Sequence, residues 1–410
     1  MNVIHVPRRL ARCAWGGTEQ VLEHLLERQR ADGLSPQVFT STALDAAPTD
    51  HLAGCPVQRF PYSYPVWPLP AARRAAFDRK GGNLISAALA QAVARAPRLD
   101  LVHLHTGGRL GAQVLRAARR RGVPVVLTLH GGHFDIPPAE LNDLRARGHG
   151  PAWEWGRVLS WWWGSRQLLA QVDALMCVGR AEYDLARVAL PRQRVVFVPG
   201  AVDPTPFRNA NREAGRARLG LPPGRRAIVC VARLDRQKDQ LLLVRAWAAL
   251  GRAECDLVLA GPETSPGYAD LCRHAAAGAA GRLVLTGNLD AAAIPDVLAA
   301  AEVAVLPSRH EPFGLAVLEA WAAGVPMVAT QVGGPAWLLA EGDGELVPPG
   351  DVEALRAALV RLLDDPGRCA ALAAKGLKRV QEFTWDRQWA TVRALYDEAW
   401  AARGSVTSAR

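Results

Sequence analysis

The sequence predicts an α/β protein built from two doubly wound parallel-sheet domains, and three observations carry that prediction. Short apolar strands alternate with longer helical stretches from Val3 onward, the grammar of a parallel sheet covered by helices on both faces. The alternation stops at a Pro/Gly-rich stretch, Val198 to Pro206, and restarts at Ala227. With 410 residues the chain also exceeds the roughly 250–300 at which one hydrophobic core stops growing.

In order, Val3 to Val6 reads as the first strand, followed by Gly16-Gly17 and a helix from about Thr18 to Arg30. Gln37 to Thr40 and Val57 to Phe60 are further strands. Leu101 to Leu104 precedes a helix ending near Gly122, and Pro124 to Leu129 is a fully apolar strand of the kind a buried parallel sheet uses. Asp173 to Val178 and Val195 to Val198 follow. After the linker come Ala227 to Ala232, Asp256 to Ala260, Arg282 to Leu285, Val303 to Leu306 and Val325 to Thr330. A last helix, about Trp385 to Ala402, carries Trp389, Val392, Leu395, Tyr396 and Trp400 as an apolar stripe, and Gly404 to Arg410 reads as a frayed polar tail. The expected divisions are residues 1–200, 201–384 and a closing helix over 385–410.

Composition excludes several classes. No apolar run reaches the roughly 18 residues that cross a bilayer, and the chain opens as a strand, so a cytoplasmic protein is expected. The seven cysteines are scattered without a C-x-x-C pair, which suggests reduced thiols and neither a disulfide framework nor a zinc site. The net charge of +10 lies wholly in residues 1–200, with 25 Lys and Arg against 15 Asp and Glu, while residues 201–410 balance at 24 and 24. An anionic partner of the first domain follows, whether membrane surface, lipid-linked substrate or nucleic acid; a merely Arg-rich surface is the plain alternative. The stretch 147–164 holds Trp153, Trp155, Trp161, Trp162 and Trp163. Such a cluster serves as an acceptor platform or interfacial anchor, but more often packs against its own domain, and that packing is the expectation here.

Ligands of open parallel sheets sit at the carboxyl ends of the strands. Gly16 and Gly17, His130 with Gly131 and Gly132 behind it, Arg233, Lys238, Thr286-Gly287 and Glu311 all fall at such places. Arg233 and Lys238 offer a fork donor and a point charge, which suit phosphate oxygens, and the helix opening at Phe313-Gly314 offers free backbone N–H groups and a positive dipole end. Glu311 and Glu319 are carboxylates at the two ends of an otherwise apolar run, E-P-F-G-L-A-V-L-E. Unemployed acids are expensive among Leu318, Ala320 and Trp321, whereas sugar hydroxyls would engage them. The residue types together suit a diphosphate attached to something rich in hydroxyls.

The run from Glu311 to Glu319 resembles the E-x7-E signature of retaining glycosyltransferases of family 4, and A-G-V-P at Ala323 to Pro326 and Gly333-Gly334 extend the likeness. Val231 to Asp239, V-A-R-L-D-R-Q-K-D, is similar to that family's R-x4-K phosphate loop; V-P-G-A-V-D at Val198 to Asp203 to its linker; G-G-T-E at Gly16 to Glu19 to its N-terminal glycine loop; and F-T-W-D at Phe383 to Asp386 to the entry into its last helix. The match is most specific over 227–350 and weakest over 40–100 and 133–190.

That resemblance implies a GT-B fold: two facing Rossmann-like domains, an acceptor-binding first and a donor-binding second, with a C-terminal helix crossing back to the first. It implies sugar transfer from a nucleotide-sugar donor, UDP- or GDP-linked, with retention at the anomeric carbon. Arg233 and Lys238 would hold the diphosphate, Glu311 the sugar hydroxyls, Glu319 the ribose, and Phe313, Gly314 and Leu315 would offer backbone donors. Gly16 and Gly17 would approach the phosphates or acceptor, and His130 would stand near the anomeric carbon. Where the linker usually reads Asn-Gly this chain has Gly200-Ala201, so contacts made through that asparagine are absent from the expectation. No D-x-D triplet occurs, and no metal or other cofactor is expected.

Family members act on lipid-linked glycans, phospholipids and small acceptors such as antibiotics and sugar phosphates. The basic first domain, with Arg73-Arg74, Arg79-Lys80 and Arg119 to Arg121, favours an acceptor at an anionic membrane surface and thus envelope glycan assembly, with a small-molecule acceptor as the alternative. A dehydrogenase would show G-x-G-x-x-G, which is missing; a non-catalytic surface binder on the same scaffold would have lost Glu311, Arg233 or Lys238; and no nucleic-acid module is recognisable.

Overall fold

The computed structural model describes residues 1–79, 82–135 and 154–407, which form two compact units, Met1–Pro199 with Gln388–Arg410 and Gly200–Arg387. The first holds an eight-stranded sheet in the order β3-β4-β2-β1-β5-β6-β7-β8. Its strands are β1 (Asn2–Val6), β2 (Ser35–Ser41), β3 (Thr49–Leu52), β4 (Cys55–Phe60), β5 (Leu101–Leu104), β6 (Val125–Leu129), β7 (Ala174–Cys177) and β8 (Val195–Phe197). All pairings are parallel except β3 with β4. That edge strand escapes a periodicity reading because Thr49 to Leu52 is mostly polar. Its turn, Ala53-Gly54, adopts positive φ at both residues (51° and 71°), the two-residue hairpin geometry, without the Asn-Gly that announces it.

The second unit holds β9 (Arg226–Val231), β10 (Cys255–Ala260), β11 (Leu283–Gly287), β12 (Val303–Leu306), β13 (Met327–Thr330) and β14 (Glu345–Val347) in the order β11-β10-β9-β12-β13-β14, entirely parallel. The order reverses between β9 and β12, which places a topological switch point there. Thr286-Gly287 lies inside β11 instead of beyond it, and β14 is too short, at three residues, to register as a strand in sequence.

The last helix runs Trp385–Thr407, so Gly404 does not begin a frayed tail. One helical glycine costs about 1 kcal/mol, and no proline follows to end the helix. Trp389, Val392, Leu395, Tyr396 and Ala399 pack in one cluster with Val3, Leu101, Val126 and Met176 of the first sheet and Leu25 of the helix that follows β1, which explains why the final residues cluster with the first unit. Trp400, counted in the apolar stripe, is exposed.

The tryptophan cluster departs from expectation. Arg147 to Trp153 lies outside the described residues, but Trp161 and Trp162 are 80% and 62% exposed, so this segment does not bury its rings in its own domain. The short helix Gly156–Trp162 is held instead by polar bonds from the buried Arg109, whose Nε donates to the Gly156 carbonyl (3.0 Å) and Ser160 Oγ (2.8 Å) and whose Nη2 pairs with Glu154 (2.6 Å). Anchored from its polar side, it leaves its aromatic face outward.

Candidate active site

In the second unit the site grows from the loops after β9 and β12, adjacent strands at the switch point. The β9 loop is a self-bonded turn: Lys238 N donates to the Asp235 carbonyl (2.9 Å), Gln237 N to Asp235 Oδ1 (2.9 Å), and Gln240 Nε2 to the Arg233 carbonyl (2.8 Å). Asp239 closes it at φ 47°, an uncommon conformation for a non-glycine residue, held by the buried Asp239 carboxylate accepting from Arg309 Nε (2.7 Å). The turn leaves the Arg233 side chain exposed and directs Lys238 onto the β12 loop, where Lys238 Nζ donates to Glu311 Oε2. The same carboxylate accepts from Ser308 Oγ (3.3 Å). The structure thus brings together the two residues expected to grip phosphate and sugar, 73 positions apart in sequence.

Beyond Glu311 the chain turns through Gly314, whose φ of 95° is open to glycine almost alone, into the helix Leu315–Ala322. Phe313 is buried against Trp337 and Phe383, so it offers the site its backbone and not its ring. The Glu311–Phe313 backbone rests on Gly333-Gly334: Gly334 N donates to the Glu311 carbonyl (2.9 Å), and a Cβ at Gly334 would stand 2.0 Å from the Phe313 carbonyl oxygen. Leu315 packs partly on the core. Glu319 is half-buried on the same helix, and desolvation pushes its carboxyl up to about 7. A cavity of about 150 Å³ adjoins Arg233, lined also by Gly261, Pro262, Asn288 and Leu289 at the carboxyl ends of β10 and β11. Sequence reading missed this cavity, whose lining residues carry no charge pattern beyond Arg233.

In the first unit Gly16 caps and Gly17 opens the helix Gly17–Ala31 after β1. His130 follows β6, and the turn behind it is clamped by Glu182, a fully buried carboxylate that accepts from Gly131 N (3.1 Å), His133 N (2.9 Å) and Phe134 N (3.4 Å). Burial pushes the Glu182 carboxyl up, against the pull of those three N–H groups. Glu182 lies 52 positions from His130, in a segment without a recognisable motif.

His130 is also one end of a buried chain of imidazoles. His130 Nε2 lies 3.0 Å from His105 Nδ1, His105 Nε2 3.0 Å from His5 Nδ1, and His5 Nε2 3.0 Å from Gln29 Oε1. Gln29 Nε2 donates to Tyr396 Oη (3.3 Å), which lies 2.6 Å from His103 Nδ1, and His103 Nε2 lies 2.7 Å from Thr128 Oγ1. His5, His103 and His105 bring ligand-type nitrogens within 4.8 Å of one another, yet hydrogen bonds already occupy both nitrogens of each ring. Desolvation pulls His5 and His130 down to about 4 and His103 and His105 well below the usual imidazole range, so all four are neutral at pH 7.

Residues 15–206 match the family model described as Glycosyltransferase Family 4, and residues 225–365 the one described as Glycosyl transferases group 1. A D-inositol 3-phosphate glycosyltransferase of Thermobispora bispora is 33% identical over 317 residues, 74% of this chain and 71% of that one. Its counterpart in Saccharomonospora viridis is 32% identical over 420 residues, 95% and 91% of the two chains. Among solved structures, a sucrose-phosphate synthase from Thermosynechococcus elongatus superposes with a TM-score of 0.73 at 21% identity, covering 98% and 99%. Anabaena HepE in complex with UDP-glucose gives 0.73 at 18%, covering 97% and 100%. At these identities the structural likeness establishes the GT-B fold.

Proposed function

Because this chain belongs to glycosyltransferase family 4, we propose that it transfers a sugar from a nucleotide-diphosphate donor to a hydroxyl of a small anionic acceptor, with retention at the anomeric carbon. The observation that carries the donor half is the Lys238–Glu311 pair at the switch point. A cation suited to the diphosphate stands against a carboxylate suited to sugar hydroxyls, and a bound donor would separate the two and engage each in turn. Arg233 adds a second charge beside the cavity, which takes part of the nucleoside, and Glu319 accepts from ribose hydroxyls.

As the bond from the anomeric carbon to the diphosphate breaks, negative charge grows on the leaving oxygen. Arg233, Lys238 and the N-terminus of the helix Leu315–Ala322 neutralise it, and the reaction proceeds without a metal ion. The family resemblance assigns His130 to the donor sugar and the Gly16-Gly17 loop to the phosphates or the acceptor.

The acceptor reading rests on the relatives named for D-inositol 3-phosphate and on the positive excess of residues 1–200. A second reading, a membrane-borne acceptor in envelope glycan assembly, is favoured by exposed Trp161 and Trp162 with Arg157 and Arg166 beside them. The deciding experiment is a screen of UDP-, GDP- and ADP-sugars by thermal shift, with EDTA present, followed by turnover with inositol phosphate or anionic liposomes carrying a glycolipid acceptor. A shift by one nucleotide that Lys238→Ala abolishes supports the donor reading. No shift with any of them overturns it. Product NMR then reads the anomeric configuration, and an inverted product would refute retention.

A further inference from the structure

The imidazole chain behind His130 has a direction. Gln29 sets it, because an amide has distinct ends: with Nε2 donating to Tyr396 Oη, Oε1 is left to accept from His5 Nε2–H. A neutral imidazole that donates from Nε2 must accept at Nδ1, so His5 Nδ1 accepts from His105 Nε2–H (3.0 Å). The same rule at His105 makes its Nδ1 accept from His130 Nε2–H (3.0 Å). On the other side Tyr396 donates its hydroxyl proton to His103 Nδ1, and His103 Nε2–H donates to Thr128 Oγ1, so both branches from Gln29 are consistent. Reversing the amide would reverse every bond between Gln29 and His130.

We propose that Gln29 is a positioning residue that acts through His5 and His105 to hold His130 as the Nε2–H tautomer, leaving Nδ1 as the acceptor nitrogen for a sugar hydroxyl. Gln29 and His5 are fully buried and His105 is 8% exposed, so the two bonds among them are shielded from water, while His130 at the end of the chain is partly exposed. The rings also lie close in space, with centroids 5.3 Å apart for His5–His105 and again for His105–His130. The catalytic consequence rests on the role given to His130 in the proposed function; the tautomer itself does not.

The test uses full-length protein with selectively ¹⁵N-labelled histidine and long-range ¹H–¹⁵N correlation, His130 being assigned by comparison with His130→Asn. In the wild type His130 Nδ1 is expected to resonate as an unprotonated nitrogen. Gln29→Met keeps the length and removes both amide ends, and should let the Nδ1–H tautomer appear; Gln29→Glu keeps an acceptor and should restore the bias. Should Gln29→Met not fold, Tyr396→Phe removes the bond that orients the amide and should mix the tautomers in the same way. A wild-type His130 protonated at Nδ1, or an unchanged tautomer in Gln29→Met or Tyr396→Phe, overturns the relay. In turnover, Gln29→Met should lose about tenfold in kcat with donor KM within about twofold. A shifted tautomer with unchanged kcat would uphold the relay and overturn the catalytic role proposed for His130.

Discussion

Lys238 and Glu311 form an ion pair between the loops that leave two adjacent strands, β9 and β12, at the point where the sheet order reverses. Glu311 is buried and Lys238 half-buried, so each neutralises a charge that would otherwise be costly to hold. A donor spanning both would divide the pair's work between diphosphate and sugar.

Lys238→Ala and Glu311→Ala are each expected to lower kcat by about 100-fold or more, since in the proposed function each removes a group assigned to the developing charge or to the sugar it leaves. The double variant should fall far short of the product of the two losses, because residues acting as a unit are not additive. Steady-state kinetics of all three proteins check this, and full additivity would show two independent sites.

Glu319 predicts a pH dependence of nucleotide binding. With its carboxyl raised to about 7 by desolvation, it is mostly protonated at pH 6 and mostly ionised at pH 8. Ribose hydroxyls need the ionised form as a full acceptor, so nucleotide affinity should weaken about tenfold from pH 8 to pH 6, in proportion to the competent fraction. Glu319→Gln should flatten the profile in calorimetry. For stability the sign is opposite: a raised carboxyl costs the fold as pH climbs from about 4.5 through 7, so Glu319→Gln should gain thermal stability at pH 8 and little at pH 4.5.

Acid should weaken the first unit through its histidines. Their folded values lie below the ordinary 6.5, so the unfolded chain takes up protons first, and stability complete above pH 6.5 is lost progressively toward pH 4. His5 alone, lowered to about 4, accounts for about 2 kcal/mol between pH 7 and pH 5. Melting curves across that range should show the loss, and His5→Asn should reduce its slope.

Gly334→Ala should destabilise the second unit by about 2 kcal/mol or more, because the new methyl group would overlap the Phe313 carbonyl and push the Glu311–Phe313 backbone off Gly333-Gly334. Nucleotide binding should fall with it. A variant that melts normally and binds normally would show that the loop has room to yield.

Sequence alone determined the two-domain α/β plan, because buried parallel strands are nearly continuous apolar runs: Val125–Leu129 and Val303–Leu306 announce themselves. It also placed Arg233, Lys238, Glu311 and Glu319, since strand ends and a turn glycine are local features that motif spacing records. Only the tertiary structure decided which partners these residues have. Lys238 meets Glu311 because non-consecutive strands β9 and β12 are neighbours, an ordering no local pattern encodes. Glu182 beneath the His130 loop and Gln29 at the end of the imidazole chain look like ordinary helix residues in sequence. Their burial, and thus the strength of their hydrogen bonds in a medium that excludes water, exists only once the first sheet and its helices have closed over them.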